Sequence, residues 1–273
     1  MKKKILPLLA AALLLCGCTK EPAGAAPTEP SASSTPDVFD SKTIYICTSQ
    51  TRTVDGSTTR TDYILDEQNQ VKEVQVFTND ALTMCYDVEC DSNGNYIRWI
   101  SDSMTIEYSY DEAGHPLGKT MFSGGTLISS TEYTWENGNQ TALTNRNGPQ
   151  EQRTLYLYNE DGQKVREEFY QNSVLVNYSH LTLGEDGRPV TQEVYLADGT
   201  LYSTVNYAYE GTDCTATTTL TDGTLDGSTQ YQYDDNGNLI RTTVLDKDGN
   251  VLSETTETWI PIEVAPDSLR ASI

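Results

Sequence analysis

The sequence predicts an all-β protein, a repetitive antiparallel β-hairpin meander that forms an elongated, twisted or curled sheet. Three observations predict it. A turn glycine returns at Gly94, Gly114, Gly138, Gly162, Gly187, Gly211 and Gly237, at intervals of 20, 24, 24, 25, 24 and 26 residues. Before most of these glycines stand two large residues one position apart, the period-2 signature of a strand face. Midway between them lies a second turn signal, so each period holds two short strands and two tight turns. No stretch of the mature chain has convincing helical periodicity.

The N-terminus comes first. Residues 1–17 combine a basic start, Lys2-Lys3-Lys4, with an apolar run from Ile5 to Leu15, too short for a convincing membrane span and of signal-peptide length. The run ends in Leu15-Cys16-Gly17-Cys18, which resembles the bacterial lipobox; that resemblance implies a lipid on Cys18. Such an anchor would hold the rest of the chain at a membrane, since each buried methylene is worth about 0.8 kcal/mol. Residues 18–42, rich in Pro, Ala, Ser, Thr and Glu, cannot bury enough apolar surface to fold and read as a disordered, partly extended tether.

The repeat domain is expected over residues 43–262, with a tail at 263–273. Thr43-Ile-Tyr-Ile-Cys47 is a strand candidate that closes the first repeat, and Tyr63-Ile-Leu65-Asp66-Glu-Gln-Asn69 is a degenerate copy with Asn in the glycine slot. The paired large residues are Tyr108 and Tyr110, Tyr133 and Trp135, Tyr156 and Tyr158, Leu181 and Leu183, Tyr207 and Tyr209, and Tyr231 and Tyr233. Three residues past each glycine stand Ile97, Leu117, Thr141, Val165, Val190, Cys214 and Ile240, mostly apolar and expected in the core. The second turns are expected at Gly124-Gly125, Asn147-Gly148, Asn172, Asp198-Gly199, Asp222-Gly223 and Asp248-Gly249. Joined end to end the hairpins make about 14 to 18 strands, a size at which open sheets usually curl or split. Trp259-Ile-Pro261-Ile-Glu-Val-Ala-Pro266 supplies prolines that cannot donate to a further strand and reads as a cap.

Tyr231-Gln-Tyr233-Asp234-Asp-Asn-Gly237, followed by a strand, an Asp-Gly turn and a strand running to Trp259, is similar to the tyrosine-aspartate (YD, or RHS) repeat of bacterial surface and secreted proteins. The resemblance covers roughly residues 60 to 260, with Leu181 and Leu183 replacing both tyrosines in one copy. It implies a hairpin array at the cell surface. In large members of the family the array encloses a toxin segment; this chain has too few repeats for a large chamber, so encapsulation does not carry over.

The composition bounds the partners. The net charge is −22, and without the three leader lysines 15 basic residues face 40 acidic ones, a net of −25. Such a chain repels phosphate backbones, which argues against nucleic acid. Cys47, Cys85, Cys90 and Cys214 permit disulfides, but Cys90 fills an aromatic slot and Cys214 an apolar one, and Cys85 and Cys90 point to opposite faces about 16 Å apart. No CxxC occurs. His115 and His180 are the only histidines, and no nucleophile elbow or zinc-helix motif accompanies them. The Asp-rich turns offer alternating oxygen ligands at Asp234, Asn236 and Asn238, but hairpin turns use these residues for backbone reasons alone.

The expectation is a lipid-anchored, extracytoplasmic bacterial surface protein without catalysis or cofactor, a binding or structural module for a glycan, cell-wall polymer or surface protein. The candidate stacking residues are Tyr156, Tyr158, Tyr207, Tyr209, Tyr231 and Tyr233. The alternatives are an extracellular hydrolase with an unrecognised site and a component of a toxin or secretion system; an outer-membrane barrel is disfavoured because the strands lack a clear lipid-facing band and the charge is so acidic.

Overall fold

The structure, a computed structural model, describes residues 42–92 and 94–264. The expected signal segment 1–17, the lipidation site Cys18, nearly all of the tether and the tail from residue 265 lie outside the described residues.

Every described element is a strand or a tight turn, and the strands number eighteen: β1 (Lys42–Val54), β2 (Ser57–Leu65), β3 (Val71–Thr78), β4 (Ala81–Cys90), β5 (Tyr96–Ile100), β6 (Met104–Tyr110), β7 (Pro116–Ser123), β8 (Thr126–Glu136), β9 (Asn139–Asn147), β10 (Gln150–Tyr158), β11 (Lys164–Gln171), β12 (Val174–Leu183), β13 (Pro189–Leu196), β14 (Leu201–Glu210), β15 (Asp213–Leu220), β16 (Leu225–Tyr233), β17 (Leu239–Asp246) and β18 (Val251–Val264). Each pairs antiparallel with the next, and β1 also pairs with β18 from Lys42↔Val264 to Val54↔Ser253. The sheet is therefore a closed barrel, where the sequence led to an elongated, twisted or curled sheet. Closure removes both edges, which in an open array of this length would present unpaired backbone to other chains.

Two further expectations are corrected at the ends. The strand containing Thr43–Cys47 closes the whole barrel rather than the first repeat. The segment from Trp259 does not stop the sheet; it continues β18 alongside β1, with Pro261 opposite Tyr45. That stretch lies beyond Arg241, the first residue of β17 paired to β18, so it is paired on one side and tolerates a missing N–H.

The turns follow the backbone chemistry of their residues. Asp55-Gly56, Asn79-Asp80, Gly124-Gly125, Asn137-Gly138 and Asn172-Ser173 are two-residue turns with both φ values positive, the twist that matches a hairpin. The longer turns share one device. Asp234 N–H donates to the Asn238 carbonyl, Gly237 N–H donates back to the Asp234 carbonyl, and Gly237 sits at φ +83°. Asn69 takes the glycine's place at φ 60°, as expected of the degenerate copy. The Asp234 carboxylate accepts from the backbone N–H of Asn236 and Asn238 and from the Asn238 side chain. Asp246, Asp111 and Asn159 repeat this arrangement, so these side chains are committed to their own turns.

The turn bonds also hold the Asp234 carboxyl below its ordinary value of 3.8. A depressed pKa stabilises the folded state above the unfolded value, and that contribution is lost as pH falls through the depressed one. We expect Asp234→Ala to lower the thermal midpoint at pH 7, because it strands two turn N–H groups. Asp234→Asn should retain it, since Asn159 fills the same slot in its own turn, and should remove this site's share of any acid destabilisation below about pH 3.8. A thermal melt series from pH 7 to pH 3 checks both.

Following the registers around the barrel, one face carries Tyr63, Val74, Tyr86, Trp99, Ile106, Tyr133, Tyr156, Ser179, Tyr207, Tyr231 and Trp259 and returns to itself at Cys47 without a flip. This is the lumen face. Strands β2 and β5 are three spacings apart, about 14 Å along the sheet, yet the rings of Tyr63 and Trp99 lie 6.5 Å apart. Side chains converge in this way only on the concave side. Val74, Tyr86, Ile106, Ser179, Ser203, Cys214 and Ala216 on this face are buried. The outer face carries most of the strand ion pairs, among them Arg146 with Glu132 (2.7 Å) and Glu151 (2.9 Å), Arg166 with Glu168 (2.8 Å) and Arg98 with Glu89 (3.6 Å), while Lys164 and Glu167 pair on the lumen face.

The residues expected in the core three positions past the glycines are mostly not there. Ile97, Leu117, Val190 and Ile240 are between 37% and 44% exposed. The reason is a register shift. Tyr110 pairs with Pro116 and Ser109 with Gly118, leaving Leu117 as the bulged residue, and Ile97, Val190 and Ile240 hold the same slot in their strands. Cys214 is buried because its two-residue turn carries no bulge and it faces Tyr209 directly.

Candidate functional site

The candidate site is the lumen wall. Nearest the Asp-x-x-Gly turns it is lined by the paired large residues, all of which point inward as their spacing predicts. Their polar ends are engaged in a recurring way. Trp135 donates to the Pro116 carbonyl (2.8 Å), Tyr158 to Gln140 (2.7 Å), Tyr209 to Pro189 (3.0 Å) and Trp259 to Leu239 (2.9 Å). In each case a large aromatic residue towards the end of a strand caps a carbonyl at the start of the preceding strand, just past its turn. Cys90 fills this slot opposite Val71 with a weak contact at 3.8 Å. These aromatics thus satisfy backbone groups at the rim as well as packing.

Of the candidate stacking residues, Tyr156, Tyr158, Tyr207, Tyr209, Tyr231 and Tyr233 all face the lumen and are half-buried. Tyr207 donates to the Gln192 side chain (3.0 Å). Burial pushes Tyr156 up to about 12 and raises Tyr158, Tyr207, Tyr209 and Tyr231 as well. Tyr96 is likewise pushed to about 12. A phenol whose folded pKa is raised stabilises the fold fully below its unfolded value of about 10, and that contribution is lost as pH rises through the folded value. The barrel should therefore hold its thermal midpoint up to about pH 10 and lose it steeply towards pH 12. Melts that show no loss across that window would contradict a folded lumen of neutral tyrosines.

The wall changes character on β8 to β10, away from those turns. Ser129, Thr131, Asn145, Asn147, Gln150 and Gln152 share the lumen face and line a cavity of about 310 Å³. Asn145, Asn147, Gln150 and Gln152 are exposed although they lie on the concave side, so the lumen is open to water here. Barrels of 16–18 strands are wide enough to leave an aqueous interior. Thr131 donates to the Asn145 side-chain oxygen (2.8 Å). Sequence reasoning missed this group. Its signal was the alternation of amides around one turn, Asn145-Arg-Asn147-Gly-Pro-Gln150-Glu-Gln152.

The histidines do not come together. His115 Nδ1–H donates to the Asp111 carboxylate within its own turn (2.9 Å), and the ring stacks on Trp135 at 4.7 Å. His180 lies on the outer wall beside Arg166 (2.7 Å), edge-on to Tyr178 and Tyr195. Cys47, Cys85, Cys90 and Cys214 are free thiols, Cys85 exposed on the outside and the others directed inward. Burial pushes the Cys47 thiol up to about 11. Among the described residues, no group of three or more His, Cys, Asp or Glu side chains is placed to hold a metal ion.

No family model matches the chain, and no curated protein matches it. Solved structures with some likeness include the TcdB2-TccC3-Cdc42 complex (13% identity over 78% of this chain, TM-score 0.29), of whose matched chain this sequence spans 15%. They also include porin-like proteins from Bacteroides vulgatus (10% identity, 79% of this chain and 99% of that one, TM-score 0.35) and Bacteroides uniformis (11%, 78% and 96%, TM-score 0.28). At such scores these likenesses assign nothing to this chain.

Proposed function

We propose that this chain is a non-catalytic binding module of the bacterial envelope, a water-borne barrel held by a lipid on Cys18, whose lumen takes a glycan or cell-wall polymer. The observation that carries the reading is the outer wall, which is studded with paired arginines and carboxylates, while the lumen wall is lined mainly by aromatic, hydroxyl and amide side chains with a few charges among them, Arg52, Lys119, Lys164, Glu167 and Glu257. A barrel embedded in lipid needs the opposite, since an outward Arg at the bilayer midplane costs about 2–4 kcal/mol. Here Arg60, Arg98, Arg146, Arg166 and Arg241 all lie on the outer wall, each within 4 Å of a carboxylate. The lumen tyrosines offer apolar faces for sugar rings, and the open amide stretch offers hydrogen bonds. Because the strand number is even, β1 begins and β18 ends at one rim, and the chain enters the barrel opposite the turn at Gly148-Pro149 beside the amide stretch.

The test is a pulldown with the chain from Thr19 onward, offered insoluble cell-wall material and neutral polysaccharides. Retention on at least one polymer is expected. Binding to none would leave only a structural or protein-partner role.

A further inference from the structure

The geometry points to the β8–β10 wall of the lumen as a subsite for the sugar rings of a neutral oligosaccharide, an inference that rests on the glycan-binding reading above and locates it away from the tyrosine pairs. The six lumen-facing residues there are Ser129, Thr131, Asn145, Asn147, Gln150 and Gln152. Ser130 and Arg146 complete the lining but alternate with these along the strands, and Arg146 is held on the outer wall by Glu132 and Glu151. The six lumen-facing residues of the lining are thus uncharged, and the lumen-facing charge beside them is Lys119, paired with Thr131.

This chemistry selects its ligand by exclusion and by fit. An anion would meet one neighbouring lumen-facing cation, Lys119 opposite Thr131, whose Nζ lies over the Tyr108 ring, within a chain of net charge −22. A cation would find no carboxylate in the cavity. An apolar ligand would desolvate four amides and give their donors and acceptors nothing in return. A neutral polyhydroxyl compound suits them, because each carboxamide presents a donor and an acceptor side by side and each hydroxyl can do both, which matches neighbouring hydroxyls on a sugar ring. The side chains of Asn147, Gln150 and Gln152 make no hydrogen bond to another described residue and are exposed, so they are free to bind without breaking the fold. Phe169 pairs with Thr154, the next lumen-facing residue after Gln152 on β10, and brings an apolar ring face close to the same wall. The volume of about 310 Å³ falls at the small end of the range for small-molecule sites, roughly 300–1,000 Å³, and suits about one or two rings of a longer chain.

The experiment compares the chain from Thr19 onward with its Asn147→Ala/Gln152→Ala variant. Both are titrated calorimetrically with maltohexaose, mannohexaose and chitohexaose and offered the polymers of the pulldown. Both substitutions lie on exposed side chains, so an unchanged thermal midpoint is expected. We expect at least one oligosaccharide to bind and the variant to bind it at least about tenfold more weakly. Side-chain amide resonances of Asn147, Gln150 and Gln152 in the unaltered chain should shift on addition of that sugar, which reads the site even where the variant misfolds. Unchanged affinity in the variant, or sugar binding without movement of these amides, overturns the subsite and leaves the glycan reading standing. Failure of the unaltered chain to bind any oligosaccharide or polymer removes both.

Discussion

Trp99→Ala should be the most damaging single truncation in the barrel, costing roughly 3–4 kcal/mol. Trp99 is the hub of the aromatic cluster inside the β2–β6 arc: its ring lies 5.6 Å from Tyr96, 5.8 Å from Tyr108, 5.9 Å from Tyr86 and 6.5 Å from Tyr63. These contacts surround Val74, which is fully buried. Truncation removes the ring's transfer free energy and several aromatic pairs, and the surrounding tyrosines are fixed in strands that cannot close over the gap. For a domain of this size the loss corresponds to roughly a 10 °C drop in thermal midpoint. The indole N–H is buried without a partner. Trp99→Phe keeps most of the packing and removes that orphan donor, so its cost should stay below about 1.5 kcal/mol. Tyr202→Ala, at a side chain 43% exposed on the outer wall, should change stability by less than about 0.5 kcal/mol. Equal losses for Trp99→Ala and Tyr202→Ala in denaturant titrations would mean that the lumen is not the core.

Much of this architecture is legible in the sequence because it is local. The glycine and Asn slots dictate the turns, and period-2 spacing places Tyr207 with Tyr209 and Tyr231 with Tyr233 on one face whatever the sheet does next. Connections without a glycine, Asn79-Asp80 and Ser101 to Ser103, are far less visible, since Asn, Asp and Ser tolerate turn geometry without announcing it. The errors at Leu117 and Ile240 arise where parity itself breaks: a bulge inserts one residue, and every inference by alternation slips at that point. The amide wall at Asn145 to Gln152 is hard to see for another reason, because it belongs to one hairpin and not to the repeat. Closure lies beyond any local pattern. Ile44 and Ile262 are separated by most of the chain, and their meeting depends on the accumulated twist of sixteen intervening strands. Whether the tyrosines face a lumen or an open surface depends on that meeting.

Closure can be tested with proline along β1. In an antiparallel sheet, successive residues of a strand direct their N–H groups alternately to one neighbour and the other. If β1 were an edge, about half of its positions would point an N–H at solvent and would accept proline at little cost, as Pro261 is accepted where β18 is paired on one side only. In the closed barrel, Ser49 to Val54 are paired on both sides, with Thr51 opposite Thr256 of β18 and Arg60 of β2. No position in that stretch is then spare. Each proline removes a ladder hydrogen bond, strands its acceptor and forces its ring against a neighbouring strand, at a cost of at least about 2 kcal/mol. Single substitutions of Gln50, Thr51, Arg52 and Thr53 by proline should therefore all lower the midpoint in urea. Deleting residues 42–54 should have a larger effect, because it exposes β2 and β18 as two long edges at once. That deletion should yield aggregated protein on gel filtration and no cooperative melt. A scan in which alternate prolines are silent would return β1 to the edge of an open sheet.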